Sequence, residues 1–208
     1  MFNLISKGVY GEIGIFRFLG KLDYLPGQFT ILKHIESGLF RPYSITSISS
    51  MPFVELFVHN INGKMTSLLF NSNIGELFDL TSGKGTFNFN NEKKAVFIAG
   101  GVGAAPIISI LRHIEYNNIN GDFHAFLSFK TPNIPYISEF MLYKNTNIHI
   151  TFTREEVNGF HHGRFSPNDV FKGKDFTYYI CGSKKFAHTF SAFLKEHDVE
   201  DIKVESWG

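Results

Sequence analysis

The chain has 208 residues, of which 43% are hydrophobic and 19% charged, and its formal net charge is +1, a balance suited to one large folded domain or two small ones. Its 20 basic and 19 acidic residues are spread evenly, so no polybasic stripe marks a nucleic-acid or anionic membrane surface. The single cysteine, Cys181, excludes an intramolecular disulfide, a zinc ribbon and a cysteine-ligated iron–sulfur cluster built within this chain.

Residues 1–10 have neither a basic leader nor a long apolar run, and with a lone cysteine they predict a protein of the reducing cytoplasm. From there to a polar cluster at Asn90-Asn91-Glu92-Lys93-Lys94, short β-rich segments alternate with turn signals. The signals are Gly8-Val9-Tyr10-Gly11, Pro26-Gly27, Gly38, Asn60-Ile61-Asn62-Gly63 and Ser82-Gly83-Lys84-Gly85. Strands are predicted over 13–18, 28–33, 43–47, 54–59 and 77–81, with one helix from about Met65 through Phe70. Many short strands at this spacing predict a small antiparallel β-barrel.

Beyond the cluster, strands and helices alternate. Residues 95–99 form a continuous apolar run suited to a strand buried on both faces, and Pro106 opens a helix with Ile107, Ile110, Leu111 and Ile114 at helical spacing. The apolar stretch 95–111 carries glycines and a proline and falls short of a membrane span, so strand, turn and helix fit it better. Further strands are predicted over 123–129, 148–152, 177–180 and 202–204, and helices over 137–143 and 184–196. The rhythm predicts a doubly wound parallel α/β domain, with the chain divided into 1–91 and 92–208.

Three segments carry chemistry. Arg41-Pro42-Tyr43-Ser44-Ile45-Thr46-Ser47 offers a cation for a diphosphate, a flat phenol for a ring face and hydroxyls for ring-edge atoms. Gly63-Lys64-Met65-Thr66-Ser67 reads as a turn feeding a helix N-terminus, whose free amides can cap the helix or hold a phosphate. Gly100-Gly101-Val102-Gly103-Ala104-Ala105-Pro106 offers bare backbone between a strand and a helix; it departs from the GxGxxG fingerprint because Pro106 stands in place of the third glycine. The adjacent His161 and His162 lack a carboxylate or cysteine partner at ligand spacing and read as a loop pair, not a metal site.

Eight markers in register extend over most of the chain: Pro26-Gly27-Gln28-Phe29, RPYSITS from Arg41, GKMTSLL from Gly63, GKGTF from Gly83, GGVGAAP from Gly100, TREE from Thr153, CGS from Cys181 and Glu205-Ser206-Trp207. Together they resemble the ferredoxin-NADP reductase superfamily. The resemblance implies a small flavin-binding β-barrel followed by a nicotinamide-binding α/β domain, and FAD-dependent NAD(P)H oxidoreductase activity. Electrons would pass to a separate acceptor, a ferredoxin- or flavodoxin-type protein or a small molecule.

By the same resemblance, Arg41 and Pro42 lie at the flavin phosphate, Tyr43 against the isoalloxazine and Ser44 near the flavin nitrogen that accepts hydride. Ile45, Ser47 and His59 line the cofactor, with Ser47 toward an adenine, while Gly63, Lys64, Met65, Thr66 and Ser67 cradle phosphate. Gly101, Val102, Gly103 and Pro106 receive the nicotinamide nucleotide, and Thr153 and Arg154 with Lys130 take its 2′-phosphate. Cys181 and Gly182 flank the nicotinamide, Glu205 handles protons and Trp207 covers the flavin face. FAD is expected over FMN, and NADPH over NADH. Two other readings stay open: a reductase that binds free flavin as a substrate, and the electron-transfer subunit of a larger enzyme.

Overall fold

The structure is a computed structural model that describes residues 1–207. Its first half is a six-stranded antiparallel sheet of β1 (Phe2–Tyr10), β2 (Ile13–Leu19), β3 (Phe29–His34), β4 (Phe40–Ser44), β5 (Phe53–His59) and β6 (Leu77–Leu80), in spatial order β4-β3-β6-β1-β2-β5. The edge strands β4 and β5 meet at an Ile45–Leu56 bridge, and the Thr46 amide donates to the Glu55 carbonyl at 2.8 Å, so the sheet closes into a barrel. Alternate residues turn inward: Phe16, Phe18, Leu32, Leu56 and Phe78 are buried in one core with Leu69 of helix α1 (Lys64–Asn71).

The predicted strand over 43–47 lies earlier, at Phe40–Ser44, because the chain changes partner there. Ser44 still pairs with Phe29 of β3 and the Ile45 amide donates to the Gln28 carbonyl, whereas Ile45 also bridges Leu56 and the Thr46 amide bonds to Glu55 of β5. Strand β1 was absent from the sequence reading because Gly8-Val9-Tyr10-Gly11 looked like a turn. Gly8 to Tyr10 instead pair with Ile15 to Ile13, and only Gly11, at φ +62°, occupies the bend.

The second half is a parallel sheet in order β10-β9-β8-β7-β11-β12, built from β7 (Lys94–Gly100), β8 (Asp122–Phe129), β9 (Asn147–Phe152), β10 (His161–His162), β11 (Thr177–Gly182) and β12 (Ile202–Ser206). β11 is buried along its whole length, and helices α2 (Ala104–Tyr116) and α5 (Lys184–Glu196) pack against this sheet. The order reverses between β7 and β11, which places the crevice for a ligand at their carboxyl ends, where Gly100–Gly103 and Gly182-Ser183 lie.

Several boundaries move. Helix α2 starts at Ala104, with Pro106 inside its first turn. Helix α3 (Ile137–Phe140) is one turn long, because the amides of Leu142 and Tyr143 bond three residues back and tighten the chain. His161 and His162 are not a loop pair: they pair in parallel with Thr151 and Phe152 as strand β10, with the Thr151 hydroxyl donating to the His161 and Gly163 carbonyls. A short helix, α4 (Pro167–Val170), follows. Among the described residues no helix is long and apolar enough to cross a membrane.

Candidate functional site

Two clefts of about 480 and 440 Å³ lie at the junction of the two sheets, and a third of about 530 Å³ lies on the parallel-sheet half beside them. The first lies against the barrel and is lined by Arg41, Pro42, Tyr43, Ser44, His59, Gly63, Lys64, Met65 and Thr66, together with Trp207. Strand β4 sets up one wall, while the loop after β5 brings the N-terminus of α1 to the other. The first-turn amides of α1 open toward the cleft with no acidic side chain in that turn. The Arg41 guanidinium bonds only to the Phe40 carbonyl, at 2.8 Å, and has no carboxylate partner among the described residues. A cationic fork and a helix N-terminus facing one cleft are complementary to a diphosphate.

The cleft also contains an unmet need. The Tyr43 hydroxyl is buried without a hydrogen-bond partner, and burial pushes its pKa up to about 12, so it remains a proton donor in search of an acceptor. An orphaned phenol, a buried Ser44 and apolar walls from Phe57, Val58 and Ala105 fit a planar, polar-edged ring such as a flavin. Phe57, Val58, Ile61 and Ala105 were not read from the sequence as site residues; as ordinary apolar strand, loop and helix residues they carried no signal.

Three flavin-site expectations need correction. Ile45 is fully buried in the barrel core, so its side chain does not reach the cleft. Ser47 is buried; its hydroxyl meets Tyr24 at 2.9 Å and accepts from the Glu55 amide at 3.0 Å, which removes it from any adenine route through the first cleft. Ser67 stands outside the lining, because its amide already continues the helix by bonding the Gly63 carbonyl. Thr66 stays in the wall, but its hydroxyl is committed to the Gly63 backbone.

The second cleft joins the barrel to the parallel sheet and is lined by Gly101, Val102, Gly103, Gly182, Lys130 and Arg154, with Glu12, His59 and Trp207. Gly101 has φ +57°, and a Cβ there would meet nothing within 4 Å, so the backbone is open to a ligand. Gly103 does a different job: a Cβ would lie 2.3 Å from the Cys181 carbonyl oxygen, so its bareness lets α2 pack directly on β11. Pro106 is buried inside α2 and shapes the turn without lining the cleft.

Cys181 is wholly buried and paired in register with Glu205. Burial and the Glu205 charge raise its pKa, so it is a neutral packing group and not a nucleophile. One Glu205 carboxylate oxygen is buried without a partner, and burial raises its pKa to about 7. Trp207 packs against the core cluster that contains Cys181 and lines both the first and the second cleft.

The third cleft runs from Gly100 and Gly101 past Ser128, Lys130, Thr153, Arg164, Ser183 and Lys185. Arg154 is not part of it. Its side chain lies on the second-cleft side, near Glu12, whose pKa is lowered by the hydrogen bond to His59 and by the nearby Lys130 and Arg154. The cations that share a cleft with Thr153 are Lys130, Arg164 and Lys185. Arg164 and Lys185 were missed by the sequence reading, although Lys185 follows the CGS marker in the first turn of α5 and Arg164 follows the His161-His162-Gly163 segment.

Residues 12–89 match the model of the oxidoreductase FAD-binding domain family. Over 184 residues the chain is 25% identical to the electron transfer subunit of dihydroorotate dehydrogenase B (NAD(+)) from Clostridium acetobutylicum, covering 85% of this chain and 70% of that protein. Over 101 residues it is 37% identical to protein RfbI of Salmonella typhimurium, covering 45% of this chain but 29% of RfbI, so the chain spans under a third of that relative. A ferredoxin NADP+ reductase from Neisseria gonorrhoeae, solved with bound FAD and NADP, superimposes with a TM-score of 0.86 at 19% identity, over 99% of this chain and 97% of the other. Residues 12–89 thus match an oxidoreductase FAD-binding domain, and the chain as a whole shares the fold of this reductase.

Proposed function

We propose that this chain is an FAD-dependent NAD(P)H oxidoreductase that takes hydride from a nicotinamide nucleotide and delivers electrons to a separate acceptor, with a ferredoxin-type protein as the first choice. In this reading residues 1–91 hold the flavin and 92–208 the nucleotide. The observation that carries it is the convergence of a diphosphate- and ring-shaped cleft with a glycine-lined nucleotide cleft on a shared wall of Phe57, His59, Val102 and Trp207. Bound FAD would supply the redox chemistry, accepting two electrons as hydride and releasing them singly.

The chain's residues supply position and electrostatics. Arg41 and the first-turn amides of α1 bind the flavin diphosphate, Tyr43 donates its unpartnered hydroxyl to the cofactor and Ser44 faces the reacting edge. Gly101 lets the nucleotide approach the backbone. Glu205, with a pKa near neutrality, holds or releases a proton behind the reacting face. Lys130, Arg164 and Lys185, gathered in one cleft with Thr153, favour a 2′-phosphate and hence NADPH over NADH.

The test is direct. The purified protein should be yellow and retain FAD over FMN, and NADPH should bleach it anaerobically. A steady-state screen of NADPH and NADH against ferredoxin, flavodoxin, ferric and free-flavin acceptors then assigns the partner. Colourless protein that reduces added riboflavin would replace this reading with a free-flavin reductase. The similarity to a dihydroorotate dehydrogenase electron transfer subunit favours a second reading, a subunit that passes electrons within a larger complex. Co-purification with a dehydrogenase partner would establish that role.

A further inference from the structure

Helix α2 begins at the glycine turn of the nucleotide cleft, and its second and third turns are fastened to the barrel at the segment that carries the flavin-facing residues. Ser109 donates to the Ser47 carbonyl at 3.0 Å, and Arg112 Nη1 donates to the Thr46 carbonyl at 2.9 Å. Thr46 lies two residues beyond Ser44 of the flavin cleft. The same Arg112 nitrogen donates to Glu55 Oε1 at 2.6 Å, while its Nε and Nη2 grip both oxygens of Glu139 at 2.6 and 2.7 Å.

Glu55 is 1% exposed and lies on β5, where alternate residues share a face, so Glu55, Phe57 and His59 point the same way. Phe57 and His59 line the flavin cleft. Glu55 accepts from Arg17 at 2.8 Å, from Thr46 at 2.9 Å and from Tyr136 at 2.9 Å as well as from Arg112. Burial alone would raise its pKa, but Arg112, Arg17 and Tyr136 hold it below the usual carboxylate range, so the clamp is ionised. Arg112 therefore joins barrel and nucleotide-binding elements through two carboxylates and a carbonyl. Arg112 lines none of the three clefts assigned to flavin and nucleotide; it borders a separate cleft of about 480 Å³ together with Arg17, Ser47, Glu55 and Glu139.

We propose that Arg112 is a positioning residue for hydride transfer: acting through Glu55 and Thr46, it sets where the nucleotide-binding end of α2 stands relative to the flavin-facing strands. Ala104 to Arg112 spans eight residues of helix, about 12 Å, so a small rotation at the clamp is carried to the glycine turn. Reacting atoms must approach to about 3–3.5 Å, and a misplacement of about 1 Å costs on the order of 10²-fold in rate. The inference rests on the redox function proposed above.

The experiment compares the whole wild-type chain with Arg112→Met, Arg112→Lys and Glu55→Gln by anaerobic stopped-flow bleaching of bound flavin over a range of NADPH concentrations. Expected are wild-type flavin content, unchanged reduction by dithionite and an NADPH dissociation constant within about threefold. The limiting bleaching rate should fall at least tenfold in Arg112→Met, stay low in Arg112→Lys, which lacks the planar fork, and fall at least threefold in Glu55→Gln. A purely structural residue would lower melting temperature and flavin content while leaving the limiting rate per bound flavin unchanged. Flavin-replete variants that bleach within twofold of wild type overturn the proposal while leaving the redox function standing. If Arg112→Met does not fold, the near-isosteric Glu55→Gln decides by the same criterion. A wild type that NADPH does not bleach overturns the redox function and this inference together.

Discussion

Trp207 stands edge-on to Phe29, with ring centroids 6.0 Å apart and planes at 85°, so the last described residue of the parallel-sheet half rests on the first residue of β3 in the barrel. This contact seats the indole where the first and second clefts meet. In the function proposed above, a nicotinamide ring reaches the flavin by displacing the indole. Trp207→Ser should therefore shift the flavin absorption spectrum, raise nicotinamide occupancy and narrow the preference for NADPH over NADH. A variant that loses only thermal stability, with spectrum and preference unchanged, would reduce Trp207 to a packing residue.

Tyr43→Phe should have opposite effects on the two states of the protein. Without flavin, the hydroxyl is buried and unpartnered, so its removal should raise the melting temperature of the apoprotein. With flavin, one hydrogen bond is lost and affinity should fall by about 1 kcal/mol, roughly fivefold. Arg41→Ala, which removes a charged contact, should weaken retention more, by about 2 kcal/mol. Apo and holo melting curves with flavin titrations measure all three; equal stabilisation of both states by Tyr43→Phe would count against the flavin assignment of the first cleft.

Nucleotide preference should follow the third cleft. Arg164→Ala and Lys185→Ala should each raise the Michaelis constant for NADPH by roughly tenfold while changing that for NADH by less than about twofold. Arg154→Ala, on the Glu12 side, should affect both nucleotides alike. Steady-state kinetics with both nucleotides separates the cases, and a 2′-phosphate-selective loss in Arg154→Ala alone would return that role to Arg154.

Glu205 should make stability fall as pH rises. Burial lifts its pKa from an ordinary 4.5 to about 7, so between these values the folded chain keeps a proton that the unfolded chain has released. The favourable contribution is complete below about pH 4.5 and is lost as pH rises through about 7. Melting temperatures from pH 5 to 8 should decline in the wild type and decline less in Glu205→Gln. Parallel curves for the two proteins would remove the ionisation of Glu205 from the account.

Much of the fold was legible because it depends on local pattern. The apolar run Ala95–Ala99 is a strand in any context that buries both faces, and the spacing of Ile107, Ile110, Leu111 and Ile114 admits one helical face. Where two local readings were equally good, the outcome lay elsewhere in the chain. Gly8-Val9-Tyr10-Gly11 serves equally as turn or strand end until β2 is beside it, and His161-His162 becomes strand β10 only because β9 presents an open edge.

The sequence by itself determined the backbone parts of the candidate site, namely the order of barrel and α/β sheet, the Arg41–Ser47 segment as a motif though not its strand bounds, the glycine turn and the helix N-terminus after Gly63. These depend on residues within a few positions of one another, so the spacing carries them. Tertiary structure decided which distant side chains share a space: Arg164 and Lys185 with Thr153, Arg154 with Glu12, and Arg112 with Glu55, 57 positions apart. It also decided that Glu205, an ordinary acid in the sequence, is half-buried in register with Cys181, where burial raises its pKa to about 7. Long side chains reach several ångströms in directions set by the turn that follows each strand, and a carboxylate's proton affinity depends on the dielectric that packing creates around it. Neither quantity exists until the two sheets have come together.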